Sequence, residues 1–372
     1  MPDRDGCSDA AAPVRLLRRG LLRCAAGAGA GLLLAAPAVV GGEAAPRRTK
    51  LGLVSYCLGI RERARQAGRA PGPPLGDPAA FLEECRRLGA GGMQVSLGAR
   101  DGAELAALRT KAEAWEMRVE AILALPRDAA DLDRFEKEVV AAAQAGAAVA
   151  RTAMLPGRRY EEFATAEAYR AAAERGLKSL QLAEPVAARH RLRLAIENHK
   201  DHRTAEKIGV LKRLGSEYVG ACIDVGNNLA LLEDPAETVR ALAPWALTVH
   251  LKDHAVREYD EGFLLADAAL GEGFLDLPAI VEVVRKARPA ATFNLEVITR
   301  DPLKVPVLTD KYWATFDDVP GRDLARTLRL VRAHASPAPL PTVSDLPPER
   351  QVEVEAANVT RSLAYARDKL RL

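Results

Sequence analysis

The chain has 372 residues, with 53 Lys and Arg against 50 Asp and Glu and a formal net charge of +3. Eight Lys/Arg and four Asp/Glu fall within residues 1–50, a net of +4, so the remainder carries −1; a near-neutral body without a basic run excludes nucleic acid as an expected partner. The five cysteines are scattered and form no CxxC pair, which argues against both a disulfide framework and a thiolate metal site.

Residues 1–45 read as a signal peptide. Arg15, Arg18, Arg19 and Arg23 form a basic region, and an apolar Ala/Gly/Leu run follows from Cys24 to Val40. Small residues at Ala36-Pro37-Ala38 or 42–45 offer cleavage points. The run is short for a membrane span and lacks a stop-transfer flank, so no stable membrane insertion is expected after its removal. Arg18-Arg19-Gly20-Leu21-Leu22-Arg23 is similar to a twin-arginine (Tat) signal, with Leu17 where Ser or Thr is usual. The expected location is periplasmic or extracellular.

From residue 50 to 335 strand-like and helix-like segments alternate. Leu51–Cys57 reads as a strand, followed by a Pro/Gly-rich loop through Pro71-Gly72-Pro73-Pro74. Asp77-Pro78 opens a helix to Leu88, with Asp as N-cap and Pro in the first turn. Gly92–Leu97 is a strand, and Asp101 caps a helix to Trp115. Arg118–Leu125 is a strand, Asp128–Gln144 an amphipathic helix, and Ala147–Met154 a strand followed by helix up to His190. Four more strands come next, separated by helices near Thr204–Leu214, Pro235–Leu242 and Leu277–Lys286. A helix then runs from Gly321 to His334. Eight strands alternating with eight helices predict an α/β chain folded as a (β/α)8 TIM barrel of ordinary length. An open doubly wound sheet would carry a Gly-rich phosphate loop after its first strand; no GxGxxG stands there. Residues 336–372 begin Pro-rich and end in a helix over Glu349–Leu370, a tail expected to pack on the barrel or on a second subunit.

The last four strands end in polar residues: Glu197 after Ala195-Ile196, Asp224 after Cys222-Ile223, His250 after Thr248-Val249, and Glu296 after Asn294-Leu295. Side chains alternate faces along a strand. The four tips therefore share one face with small or polar residues, while Ile196, Ile223, Val249 and Leu295 face the other. In a barrel ringed by helices the bulky face packs outward and the tips converge inside one rim. Two Glu, one Asp and one His suit a divalent metal. Cys57 and Cys222 read as small buried hydrophobes, and His190, His202 and His334 as surface residues.

Glu197, Asp224, His250 and Glu296, with Glu197-Asn198-His199, Cys222-Ile223-Asp224-Val225-Gly226-Asn227, Val249-His250-Leu251-Lys252-Asp253 and Leu270-Gly271-Glu272-Gly273, resemble the xylose isomerase-like TIM-barrel superfamily, and within it the sugar phosphate isomerase/epimerase group. The resemblance implies one divalent ion held by those four side chains, manganese first, with zinc, cobalt or magnesium as alternatives. It also implies that Glu197 and Glu296 move protons on opposite faces of a sugar. Asn227 stands where those epimerases often have a His. The function expected is metal-dependent carbohydrate isomerisation or epimerisation; the alternatives are a lyase or deglycosylase acting on keto-glycosides, or an exported sugar- or metal-binding barrel without turnover. A trinuclear zinc nuclease would need His on the earlier strands, where none stands. His199, Lys200, Asn227 and Lys252 are candidate substrate contacts, the lysines meeting an anionic or hydroxyl group. The segment 299–320 is long for a βα loop and carries Tyr312, Trp313 and Phe316. It is expected to fold over the rim, with Trp313 against the sugar. The expected partner is a small carbohydrate, with a homo-oligomer open.

Overall fold

The computed structural model describes residues 47–372; the export signal expected in residues 1–45 lies outside them. Eleven strands are described: β1 Gly52–Val54, β2 Gly92–Val95, β3 Arg118–Ile122, β4 Val149–Thr152, β5 Arg193–Glu197, β6 Val219–Asp224, β7 Ala246–Leu251, β8 Asp253–Tyr259, β9 Gly262–Ala268, β10 Thr292–Leu295 and β11 Leu303–Val305. Eight of them close a parallel barrel in the order β1-β10-β7-β6-β5-β4-β3-β2. The expected (β/α)8 barrel is the fold of the chain.

The helices follow the punctuation in the sequence. They are α1 Gly59–Gln66, α2 Pro78–Leu88, α3 Gly102–Ala114, α4 Leu132–Gln144, α5 Arg159–Glu162, α6 Ala166–Arg189, α7 Thr204–Leu214, α8 Pro235–Leu242, α9 Leu277–Ala287, α10 Asp310–Trp313, α11 Gly321–Ala333 and α12 Pro348–Asp368. At α2, α8 and α9 an Asp N-cap accepts a backbone N–H of the first turn, and a Pro occupies a position whose N–H would have no helical partner. α2 stops at Gly89, whose φ of 84° is the left-handed conformation that glycine adopts without strain.

Ile196, Ile223, Val249 and Leu295 are all fully buried in the main core between barrel and helices. Val149, Ala195, Cys222 and Leu247 form a separate small apolar cluster, Leu247 joining it where the register of β6 against β7 shifts.

Three features depart from the sequence reading. The first strand is shorter than Leu51–Cys57: it ends at Val54, and a 3-10 turn carries Ser55–Leu58 into α1, within the expected loop. Between β7 and α9, and after β10, the chain builds an antiparallel sheet in the order β11-β9-β8. This sheet covers a second core that includes Tyr160, Leu231, Val256, Phe263, Tyr312 and Phe316. His202 is buried, not on the surface: it is 3% exposed, and its Nδ1 lies 3.0 Å from Asp201 Oδ2.

The tail packs on the barrel. α12 contributes Val359, Leu363 and Ala366 to the main core. Its Glu355 carboxylate accepts the backbone N–H groups of Ile60 and Arg61 at 2.6 and 2.9 Å, and Ser362 accepts that of Leu270 at 3.1 Å. Asn358 donates to Thr299 Oγ1 at 3.0 Å. The helix thus spans the seam where the first barrel strand meets the last.

Candidate metal centre

Parallel pairing aligns the polar tips. Glu197 stands opposite Cys222, Asp224 opposite His250, and His250 opposite Asn294, two residues before Glu296. Glu197, Asp224 and His250 are 0% exposed and Glu296 6%. One donor atom from each of the four lies within 4.8 Å of all the others. Donors about 2.0–2.2 Å from a shared ion stand up to roughly 4.4 Å apart, so the cluster needs little adjustment to close around a divalent cation.

Each carboxylate has one oxygen tethered to a cation. Arg151 holds Glu197 Oε2. Lys252 Nζ lies 2.8 Å from Asp224 Oδ2 and 2.6 Å from Glu296 Oε2. Glu197 Oε1 and Asp224 Oδ1 have no hydrogen-bond partner, and neither has His250 Nδ1. His250 Nδ1 lies 3.4 Å from Glu296 Oε1 and 3.7 Å from Glu197 Oε2. Buried polar atoms without partners are costly. Here they belong to side chains whose donor atoms gather within 4.8 Å, an arrangement a divalent cation would satisfy.

The charge balance agrees. Burial, reinforced by Glu296 and Glu197, pushes the Asp224 carboxyl up to about 7, against the pull of Lys252 and Lys200. Burial would also raise Glu197 and Glu296. Arg151 reverses this at Glu197, and Lys252 with His250 reverses it at Glu296, so both are held below the usual carboxylate range. Burial disfavours His250 as a cation, but its neighbours Cys222 and Glu296 lift it well above its ordinary value. Crowded anions that raise a neighbour's proton affinity are what a bound cation relieves.

Below the tips the barrel interior is polar. Gln94 Oε1 lies 2.7 Å from His250 Nε2, and Gln94 Nε2 donates to Glu120 Oε2 at 3.0 Å. Asn294 donates to the same Glu120 oxygen at 2.9 Å and to Thr248 Oγ1 at 3.0 Å. Because Gln94 spends its amide N–H on Glu120, its oxygen faces the imidazole. With a divalent ion bound, His250 would therefore keep its proton on Nε2 and offer Nδ1 to the ion.

Arg151, Gln94 and Glu120 were not singled out from the sequence. The available signal was a polar residue between apolar neighbours within a strand, as at Met93-Gln94-Val95 and Val119-Glu120-Ala121. Cys222 was read only as packing, yet its sulfur also lies within 4.8 Å of donors from Glu197 and His250.

The remaining candidates divide. Lys252 touches the cluster directly. Asn227 donates to Asp224 Oδ2 at 2.6 Å and accepts from Lys200 Nζ, so it links Lys200 to the centre. His199 is partly buried beside Glu197; its backbone N–H donates to Asp201 and its Nδ1 has no partner. Trp313 sits against the second core, its indole N–H donating to Val307 O at 2.9 Å and its ring packed on Tyr312 and Phe316.

Comparison with known proteins places the fold. A 3-oxo-isoapionate decarboxylase of Pectobacterium atrosepticum is 28% identical over 114 residues, 30% of this chain and 42% of that enzyme, so the match spans less than half the relative's length. Among solved structures, a D-psicose 3-epimerase in the presence of D-fructose superposes with a TM-score of 0.50 at 16% identity, covering 80% of this chain and 93% of that one. A 3-keto-D-glucoside 4-epimerase from E. coli gives 0.48 at 14% identity, covering 77% and 100%. The family description "xylose isomerase-like TIM barrel" matches residues 82–315, the span holding all four polar tips. The chain belongs to the xylose isomerase-like TIM-barrel family.

Proposed function

We propose that the chain is a divalent-metal-dependent carbohydrate isomerase or epimerase, working by proton transfer at a carbon next to a carbonyl or hydroxyl. The carrying observation is the division of labour among four buried side chains. β5 and β10 flank β6 and β7 in the barrel, so Glu197 and Glu296 approach from either side of Asp224 and His250. When bound, a divalent ion would polarise a sugar's carbonyl and adjacent hydroxyl and make the intervening C–H acidic.

The chain's own groups supply the rest. Arg151 and Lys252 keep Glu197 and Glu296 ionised and fix their orientation, so each enters the site as a base. The electron pair of the broken C–H bond moves toward the carbonyl oxygen, and the Glu that took the proton returns it to the same or the neighbouring carbon; inversion instead needs the opposite Glu to deliver a proton that it has taken from solvent. Asp224 and His250 act as anchors.

The test is metal content and turnover in four variants. Asp224→Ala and His250→Ala are expected to lose metal first, with turnover partly restored by excess manganese. Glu197→Gln and Glu296→Gln keep one coordinating oxygen but lose the base. They should retain metal and lose about 10²–10⁴-fold in turnover, beyond rescue by metal. Full activity in both Glu→Gln proteins would end the two-carboxylate mechanism.

The similarity to a decarboxylase over 114 residues favours a second reading. In a β-keto sugar acid, the electron pair of the C–C bond would move toward the same polarised carbonyl, CO2 would leave, and a solvent proton relayed through Glu197 or Glu296 would reach the carbon. Deuterium uptake by ketoses in D2O without CO2 supports the first reading; CO2 release from a β-keto acid supports the second.

A further inference from the structure

Buried cations in this chain come with carboxylates. Lys207 is 0% exposed and lies 3.1 Å from Asp201 Oδ2. Arg159 pairs with Glu206 at 3.0 Å. Arg151 and Lys252 serve the central acids. Lys200 is the exception. It is 3% exposed, its ammonium bonds the amide oxygen of Asn227, and no carboxylate among the described residues reaches ion-pair distance of its Nζ. An ammonium has three donors, so two remain to be used. A buried charge without a counter-ion is costly.

The backbone holds this lysine in place. Lys200 has φ 62°, the left-handed region that non-glycine residues seldom occupy, and its carbonyl accepts the Arg159 N–H at 3.0 Å. Through Asn227 its head group is one side chain from Asp224. His254 shares the neighbourhood: a Cβ on Gly226 would lie 2.3 Å from its Nε2. His254 Nδ1 lies 3.2 Å from Ala266 O, to which it donates, while Nε2 has no partner. Burial lowers His254 to about 3, so the ring is neutral and Nε2 is an acceptor. Arg300 is committed to Asp267 at 3.1 Å. The surroundings thus offer one ammonium without a carboxylate at ion-pair distance and one hydroxyl acceptor beside the reaction centre.

We propose that Lys200 binds a carboxylate of the substrate and His254 Nε2 a substrate hydroxyl, so that the substrate class is a sugar acid. A carboxylate brings one negative charge and matches one free ammonium. A phosphate ester brings about −1.5 to −2, more than Lys200 alone balances. Burial, with Lys252 and Arg300 adding to it, lowers Lys200 to about 8; an anionic ligand would restore it. This assignment rests on reading the Glu197–Asp224–His250–Glu296 cluster as the reaction centre.

Calorimetric titration of the full chain, metal-free and manganese-loaded, with D-gluconate, D-glucitol and D-glucose 6-phosphate tests it. Hydrogen bonds to charged groups contribute enough that wild type should bind gluconate at least about tenfold more tightly than glucitol. Lys200→Met should bring the two ligands to parity while manganese content stays at the wild-type level. Equal wild-type affinities for gluconate and glucitol would overturn the proposal even if the variant failed to fold. So would a preference for glucose 6-phosphate, or a gluconate preference that survives in Lys200→Met. Failure of the proton-transfer reading would appear instead as absent deuterium uptake and absent CO2 release, with the gluconate preference intact.

Discussion

At the scale of single residues, the tuning of His250 by a neutral amide makes a testable case. Gln94 connects it to Glu120, and neither partner reaches the cluster itself. Gln94→Leu keeps the volume roughly constant, leaves Glu120 its bond from Asn294, and frees the imidazole to take either tautomer. Partners of this kind typically carry a 10–100-fold effect on metal affinity. A manganese titration of Gln94→Leu should show a loss of that order with the fold unchanged by circular dichroism; wild-type affinity would leave Gln94 without a positioning role. A second residue effect is steric. A Cβ on Gly226 would stand 2.0 Å from His254 Cδ2, and that ring is pinned by Ala266. Gly226→Ala should cost about 1–3 kcal/mol, read as a lowered Tm.

At the scale of elements, the barrel strands were legible because two independent patterns agreed. Period-two alternation gave Ile196, Ile223, Val249 and Leu295 an outward face, and each strand stopped on a polar residue where the backbone left the sheet. Gln94, Glu120 and Arg151 obey the same alternation on earlier strands, but no polar terminus draws attention to them. The β8–β9 hairpin was missed for a different reason. It starts directly after Lys252, with no turn residue to separate it from β7, and its own turn at Asp260-Glu261 lacks the Asn-Gly or Asp-Gly signature. His202 was misread because its burial comes from Asp201 and the loop around it, which no periodicity reports.

α12 also carries a pH signature through Glu355. Burial raises this carboxyl to about 7 from an ordinary 4.5, against the two backbone N–H bonds that favour its ionised form. The folded value lies above the unfolded one, so the contribution to stability is complete below about 4.5 and is lost as pH rises through 7. Wild-type Tm should fall between pH 5 and 8 relative to that of Glu355→Gln. Parallel curves for the two proteins would refute this assignment.

At the scale of the whole molecule, the barrel depends on its tail. Val359, Leu363, Leu370 and Leu372 belong to the main core, and burying each such side chain is worth about 1.5–3 kcal/mol. Their sum is comparable to the roughly 5–15 kcal/mol that holds a typical domain together. A chain ending at Leu346 should therefore be recovered insoluble or bind hydrophobic dyes; a soluble, cooperatively melting truncation would show that the seam between β1 and β10 holds by itself.

The hydrogen-bonded column inside the barrel has a spectroscopic consequence. The proton between His250 Nε2 and Gln94 Oε1 spans 2.7 Å and belongs to a side chain with no solvent exposure. It should exchange slowly and resonate far downfield in proton NMR at neutral pH. That one line would act as a built-in reporter. Diamagnetic zinc or magnesium would shift it, paramagnetic manganese would broaden it beyond detection, and the identity of the ion could be read without any knowledge of the substrate.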